Sequence, residues 1–351
     1  MKLLLYTDVH WSETSSIVRG NGAKYSIRLE NLINSVTWAE TVASQMRCDA
    51  VACLGDFFDR PNLTAQEITA LTEVQWASIP HYFLVGNHDA NVRDLSFAST
   101  FVFQQQGFNI VSEPMMLPLA DVSTNSTVYL LPFIVEDSRK SLLDYFTGDN
   151  LFSEKIVLSH NDLAGVRYGK HISPEGFPVE DIKKYCSLFI NGHLHNSGFV
   201  DEEEQILNLG NLTGQNFSED AFTYRHFCAI LDTDTLELTF FENPYAFNFY
   251  KLELTTLEQL DVLTTIGPQA VVAISCKSTI AQAVKKMVEE LTLSGRIVCS
   301  RISLIFESEA CEGVAVSELA SVDYLQQFTD YMLSHLNNSD ILLEELSKIV
   351  L

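Results

Sequence analysis

Basic residues are scarce in this 351-residue chain. It has 22 lysines and arginines against 46 aspartates and glutamates, a net charge of −24. That shortage argues against a free-standing nucleic-acid binder, which needs a basic face to displace counterions. It does not exclude nucleic-acid chemistry, because bound divalent cations offset local carboxylates and a partner subunit can bring the basic surface. No run of 18 apolar residues occurs, so no transmembrane helix is expected. The opening "MKLLLYTDVHW" reads as a first strand rather than a signal peptide. Without a secretory signal, the Asn-x-Ser/Thr triplets at Asn62, Asn125, Asn211, Asn216 and Asn337 carry no glycosylation meaning. The seven cysteines are scattered, with no C-x-x-C pair. They read as buried free thiols in a reducing cytoplasm, as in "AVACLG" and "VVAISC". There is no internal repeat and no low-complexity segment.

What is there is an alternation of short apolar runs and helix-like stretches. The runs are 2–6, 50–55, 81–86, 127–133, 155–160, 187–192, 205–210 and 227–232; helices are expected at about 28–46 and 64–78. Nearly continuous apolar strands between helices indicate sheets covered on both faces, and the closer spacing of the later runs suggests antiparallel or mixed pairing. The expected fold is α/β: a sandwich of two packed sheets with helices outside. From about 248 the pattern changes. "NFYKLEL" reads as an exit strand, and "QAVVAISC", residues 279–293 and "GRIVCSRISLIFE" read as strand, helix, strand. The expected organisation is a catalytic domain over 1–250, a small α+β capping domain over 251–315 and a C-terminal helical hairpin over 316–351. Leu325, Phe328, Met332 and Leu336, then Ile341, Leu342, Leu346 and Ile349, give that last segment its helical spacing. Helices near 28–44 and 92–106 are possible dimer-interface material.

Polar residues collect just after the apolar runs: Asp8 and His10, Asp56 with Asp59-Arg60, Asn87-His88-Asp89, His160-Asn161, and His193 with His195. Ligands gather at the carboxyl ends of strands in open α/β sheets, so one crevice can hold all five groups. Two histidines one residue apart can be turn residues bonded to the backbone. Alternate residues of an extended segment also point to opposite sides, so the pair can instead reach two different ions. Aspartate, asparagine and histidine without thiolate suit Mn²⁺, Fe²⁺ or Zn²⁺. Seven such side chains exceed the need of one ion, and two ions sharing a bridging aspartate fit better. The spare imidazole of the Asn-His pair is then placed to protonate a leaving oxygen or to stabilise the transition state.

"DVH", "GDFFDR", "GNHD", "SH" and "GHLH" resemble, in order, the five signature motifs of the calcineurin-like metallophosphoesterases, over roughly residues 1–245. The resemblance implies Asp8, His10, Asp56 and His195 around one ion. It places Asp56, Asn87, His160 and His193 around the other, and makes His88 the catalytic proton donor or transition-state stabiliser. Asp59 and Asp89 then orient histidines or loops, and Arg60 is a candidate for contact with substrate phosphate, with Arg19, Lys24 and Arg28 as weaker ones.

Within that superfamily, "LGDFFDRPNLTAQEITAL", "FLVGNHD" and "NLGNLTGQNFSED" are similar to the SbcD branch, with Asn211 where that branch carries serine. These are nuclease subunits of DNA repair and phage recombination complexes. The resemblance implies two Mn²⁺ ions, exonuclease action on duplex DNA and endonuclease action on single strands. It also implies an SMC-like ATPase partner of the SbcC type, docked through the C-terminal helices, a possible homodimer, and a cytoplasmic setting (that of a bacterial host if the chain is phage-encoded). The alternatives are a calcineurin-like phosphatase or small-nucleotide phosphodiesterase, and a non-catalytic scaffold subunit of the same complex.

Overall fold

The computed structural model describes residues 1–91, 94–118, 126–146, 154–168 and 171–305. The expected C-terminal hairpin and its docking role lie outside the described residues. The chain runs β1 (Lys2–Tyr6), α1 (Ile27–Gln45), β2 (Ala50–Cys53), α2 (Ala65–Ala70), β3 (His81–Leu84) and β4 (Asn109–Val111). There follow β5 (Met115–Met116), β6 (Ser126–Leu131), β7 (Glu154–Ser159), α3 (Val179–Tyr185), β8 (Leu188–Asn191), β9 (Gly198–Phe199) and β10 (Ile206–Asn208). The last elements are β11 (Phe227–Asp232), β12 (Leu238–Glu242), β13 (Asn248–Leu254), β14 (Ala270–Cys276), α4 (Ala281–Leu293) and β15 (Ile297–Leu304).

Two six-stranded sheets form the sandwich, in the orders β12-β11-β1-β2-β3-β4 and β9-β10-β8-β7-β6-β5. The inner strands of each are parallel and the antiparallel members sit toward the edges, so both sheets are mixed. Alternation along β1 explains why its apolar run is unbroken. Leu3 and Leu5 face the other sheet, with Leu84, Ile156, Leu158 and Ile190. Leu4 and Tyr6 face Leu29, Leu32 and Val36 of α1. Both faces are covered, as parallel strands require. Ser26 caps α1 by accepting from Leu29 N, and Thr64 with Glu67 forms a capping box at α2. Cys48, Cys53, Cys186, Cys228 and Cys276 are free and buried.

Three expectations are corrected. The helix expected over 64–78 stops at Ala70, with a 3₁₀ turn over Leu71–Glu73. The chain then extends so that Trp76 can pack among Phe57, Phe83, Phe103 and Phe108. The helix expected near 92–106 is instead the second arm of a short hairpin, Asp94–Ala98, followed by a 3₁₀ stretch over Ser99–Gln106. Ser99 pins that turn by giving both its N–H and its hydroxyl to Asp89 O. Finally, "NFYKLEL" does not leave the catalytic part as its last strand. Asn248–Leu254 pairs in parallel with β14, and β14 with β15, in a separate three-stranded sheet. That sheet therefore begins inside the 1–250 segment. One of its faces packs α4 and the other meets Val18 through Phe249 and Val271.

Candidate active site

The ends of β1, β2 and β3 from one sheet and of β7 and β8 from the other converge where the sandwich opens. The turns are tight enough to put four non-glycine residues in the left-handed region: Asp8 (φ 50°), His10 (48°), Asp56 (48°) and His193 (69°). Asp and His tolerate this better than most residues, but it is uncommon. Two glycines let the turns close. A Cβ on Gly55, itself at φ 104°, lies 2.3 Å from His160 Nδ1; one on Gly192 lies 2.3 Å from Thr7 Oγ1.

Three carboxylate–histidine triads result: Asp8-His10-His195, His10-Asp56-His88 and Asp56-His160-His193, each with its ligand atoms within 4.8 Å of one another. Asp56 belongs to two of them. His193 and His195, one residue apart, fall in different triads. The chain is not extended there: β8 ends at Asn191, and the left-handed turn at His193 separates the two rings instead of strand alternation.

Hydrogen bonding decides what the triads lack. Asp8 Oδ2 accepts from the Thr7 hydroxyl at 2.6 Å and from His193 N–H at 3.0 Å. Its Oδ1 is buried with no hydrogen-bond partner. His10 Nδ1 faces Asp59 Oδ1 at 3.3 Å and His195 Nδ1 faces Glu219 Oε1 at 3.1 Å. An imidazole nitrogen facing a carboxylate is the one that carries the proton. The two Nε2 atoms, 3.1 Å apart and 3.8–3.9 Å from Asp8 Oδ1, are then bare lone pairs. Three acceptors without a donor fit a divalent cation.

The second group repeats the pattern. His160 gives Nδ1–H to Leu54 O at 2.6 Å, so its Nε2 faces Asp56 Oδ2 (3.1 Å) and Asn87 Oδ1 (3.3 Å). His193 turns Nε2 to Asp162 Oδ1 at 3.3 Å and Nδ1 to Asn87 Oδ1 at 3.0 Å. Burial works against the charged ring of His160, but Asp56 beside it prevails and raises its proton affinity to about 9. Asp56 is held below the usual carboxylate range: burial opposes this and His160 outweighs it. A proton there serves two of the four groups, whereas a divalent ion serves all four.

His88 is exposed at the lip of the cleft, its Nδ1 at 3.1 Å from Asp59 O and its ring 4.8 Å from that of His10. Its N–H donates to Asp56 Oδ1 at 2.8 Å. Asp59 therefore orients both His10 and His88. Its carboxyl is lowered: burial raises it, and His10 more than offsets that. Asp89 orients loops and no histidine. Its buried carboxylate accepts Phe58 N–H and Gly86 N–H, each at 2.8 Å, lashing the turn after β2 to the turn after β3. Burial, then Asp56, push it up to about 7.

Arg60 is a correction. Its guanidinium donates to Ser12 Oγ (2.9 Å) and to buried Glu67 (2.7 Å), bracing α2 instead of reaching toward the triads. Lys24 pairs with Glu73, and Arg19 Nε donates to Ser16 O. Of the weaker candidates, Arg28 does reach the site: it lines the cleft beside His10 and His88 and donates to His10 O at 3.0 Å. Sequence reasoning also missed Glu219 and Asp162. Asp162 lies two residues after His160, and Glu219 lies in the "NFSED" stretch, but nothing in either segment says which histidine it holds. Glu219→Gln is expected to weaken one of two metal-binding events about 10–100-fold, and Asp162→Asn the other. Metal titration of each variant reads this, and two unchanged affinities would remove these carboxylates from the site.

Two open clefts meet at the triads. One, of about 510 Å³, is lined by His10, Arg28, Asp59, His88 and His195. The other, of about 940 Å³, is lined by His193, His195 and the chain beyond them. Among the described residues, no helix is long and apolar enough to cross a membrane.

A family model described as calcineurin-like phosphoesterase matches residues 1–197. A search of curated proteins finds no significant match. Solved structures similar to the chain include TT1561 of Thermus thermophilus (12% identity, TM-score 0.39, covering 69% of this chain and 98% of that one). A dimetal phosphatase from Danio rerio stands at 12% identity and TM-score 0.39, over 69% of this chain and 99% of the other. A metallophosphoesterase from Sphaerobacter thermophilus stands at 17% identity and TM-score 0.30, over 69% and 88%.

Proposed function

This chain belongs to the calcineurin-like phosphoesterase family, the metal-dependent hydrolases of phosphoester bonds, and from that premise we propose that it is a two-metal DNA nuclease. Asp8, His10, Asp56 and His195 hold one ion; Asp56, Asn87, His160 and His193 hold the other, both ions being Mn²⁺. When bound, such a pair supplies Lewis acidity toward the phosphoryl oxygens and toward the attacking water. The residues do the rest. Asp56 spaces the two groups. His10, His195 and His193 present bare nitrogens because Asp59, Glu219 and Asp162 hold their other edges, and His160, held through Nδ1 by Leu54 O, would release its Nε2 proton as an ion binds. His88, anchored through Nδ1 by Asp59 O, keeps Nε2 for the substrate, where its imidazolium form gives a proton to the departing sugar oxygen.

The observation that carries the polymer reading is that His195 lines both clefts. A strand can run past the metals and leave on the other side, which a phosphomonoester does not need. The motif likeness to the SbcD branch supports the same substrate. With a net charge of −24, most DNA affinity comes from an SbcC-type SMC-like ATPase partner. Docking through residues 316–351 rests on the sequence pattern alone.

The test is end-labelled linear DNA, bis(p-nitrophenyl) phosphate and p-nitrophenyl phosphate, each with the chelator-stripped chain and after adding Mn²⁺. The expected result is no activity when stripped, and Mn²⁺-restored cleavage of DNA and diester over monoester. Intact DNA with the monoester preferred would make the chain a phosphatase. Total inactivity with two ions bound would make it a scaffold subunit.

A further inference from the structure

The larger cleft has a composition the metal chemistry does not explain. It starts at His193 and His195 and extends along β9 for a volume of about 940 Å³. Among the described residues no lysine or arginine lines it, and the one carboxylate in its wall is Glu180. That wall carries two aromatic side chains, Phe199 and Tyr224. Phe199 is 39% exposed on an edge strand of only two residues, where it serves no core cluster. Asn208 also lines the cleft. It is 4% exposed, its amide nitrogen is held by Leu194 O at 2.7 Å, and its Oδ1 has no hydrogen-bond partner.

A groove that followed the phosphate backbone would need cations along its wall. A groove whose described wall holds no cation and a single carboxylate, and which carries an exposed aromatic ring, suits a nucleobase, whose π-face stacks. We infer that this cleft is a subsite for an unpaired nucleobase flanking the phosphate held at the metals. The inference rests on the nuclease reading and sharpens it: the strand is bound through a base that has left its duplex. An acidic chain can thereby grip a polyanion without a basic face.

The experiment uses the full chain with Mn²⁺. Wild type, Phe199→Ala and Phe199→Trp are assayed on a single-stranded oligodeoxynucleotide, on the same strand with an abasic residue beside the cut, and on methyl p-nitrophenyl phosphate. Phe199→Ala is expected to raise KM for the intact strand about ten-fold, the effect of losing one stacked base, with kcat unchanged. The abasic strand costs wild type the same factor and costs the variant nothing further. Phe199→Trp restores binding, and methyl p-nitrophenyl phosphate hydrolysis is the same in all three. Stacking also predicts an increment that does not shrink with added salt.

An unchanged KM in Phe199→Ala, or equal cleavage of intact and abasic strands by wild type, overturns the subsite. If no strand is cut while methyl p-nitrophenyl phosphate is, the nuclease reading fails separately. The subsite is then decided by inhibition of that reaction by thymidine 5′-monophosphate. A Ki about ten-fold higher in Phe199→Ala sustains it, and equal values overturn it.

Discussion

His88→Ala is expected to lower kcat for metal-dependent phosphoester hydrolysis by about 10²–10⁴-fold, the range for losing a positioned proton donor, while two ions remain bound. The separation follows from geometry. The side chain of His88 is exposed and fixed only by Asp59 O, whereas its main-chain N–H donates to Asp56 Oδ1. Alanine keeps that N–H, so Asp56 stays oriented and both groups of acceptors stay intact. Steady-state kinetics beside metal content by elemental analysis gives the answer. A kcat within two-fold of wild type removes His88 from the reaction, and a lost ion makes it a ligand, since the triad it forms with His10 and Asp56 is close enough for that.

The largest stability effect is expected far from the metals. His81 Nε2 lies 2.9 Å from Glu40 Oε2, both side chains are fully buried, and His81 Nδ1 faces Ile79 O at 2.8 Å. Glu40 also accepts Ala77 N–H and faces Tyr6 OH, so α1, β1, β3 and the turn before β3 meet on one carboxylate. His81→Ala strands that carboxylate and removes a ring stacked 4.3 Å from Phe108. Breaking a buried pair costs about 3–5 kcal/mol. The urea midpoint should fall accordingly with an unchanged slope, and kcat of the remaining folded protein should hold. A loss under about 1 kcal/mol would mean that the pocket rehydrates around Glu40.

The same division between local and distant information set what the sequence made legible. The strands were readable because sheets covered on both faces leave unbroken apolar runs, and the ligand groups because each follows its own strand within a few residues. Asp56 and His195 are therefore visible as letters. Glu219 and Asp162 are not, because what matters about them is which imidazole they face, 24 and 31 residues away. Arg28 is one of several basic residues that the sequence offers after the first motif, and only the fold singles it out by burying it against His10 O. Arg60 misled in the opposite way: it stands beside the aspartate motif in sequence, but Glu67 in the first turn of α2 captures it. Trp76 shortened a helix for a similar reason, because an aromatic cluster assembled from other segments outweighed local helical preference.

The left-handed turns at Asp8, His10, Asp56 and His193 have a cost that the metal-free chain bears alone. Each such conformation is worth about 1–3 kcal/mol of strain, and Asp8 Oδ1 with the Nε2 atoms of His10 and His195 stays without a donor until a cation arrives. Ions that bind only the folded arrangement repay this by mass action, by about 2.7 kcal/mol at one hundred times their dissociation constant. Cation supply thereby sets the lifetime of the chain as well as its rate: starved of metal, a cell would lose the protein itself to unfolding and proteolysis, and a thermal scan with and without chelator would register the deficit before any substrate was added.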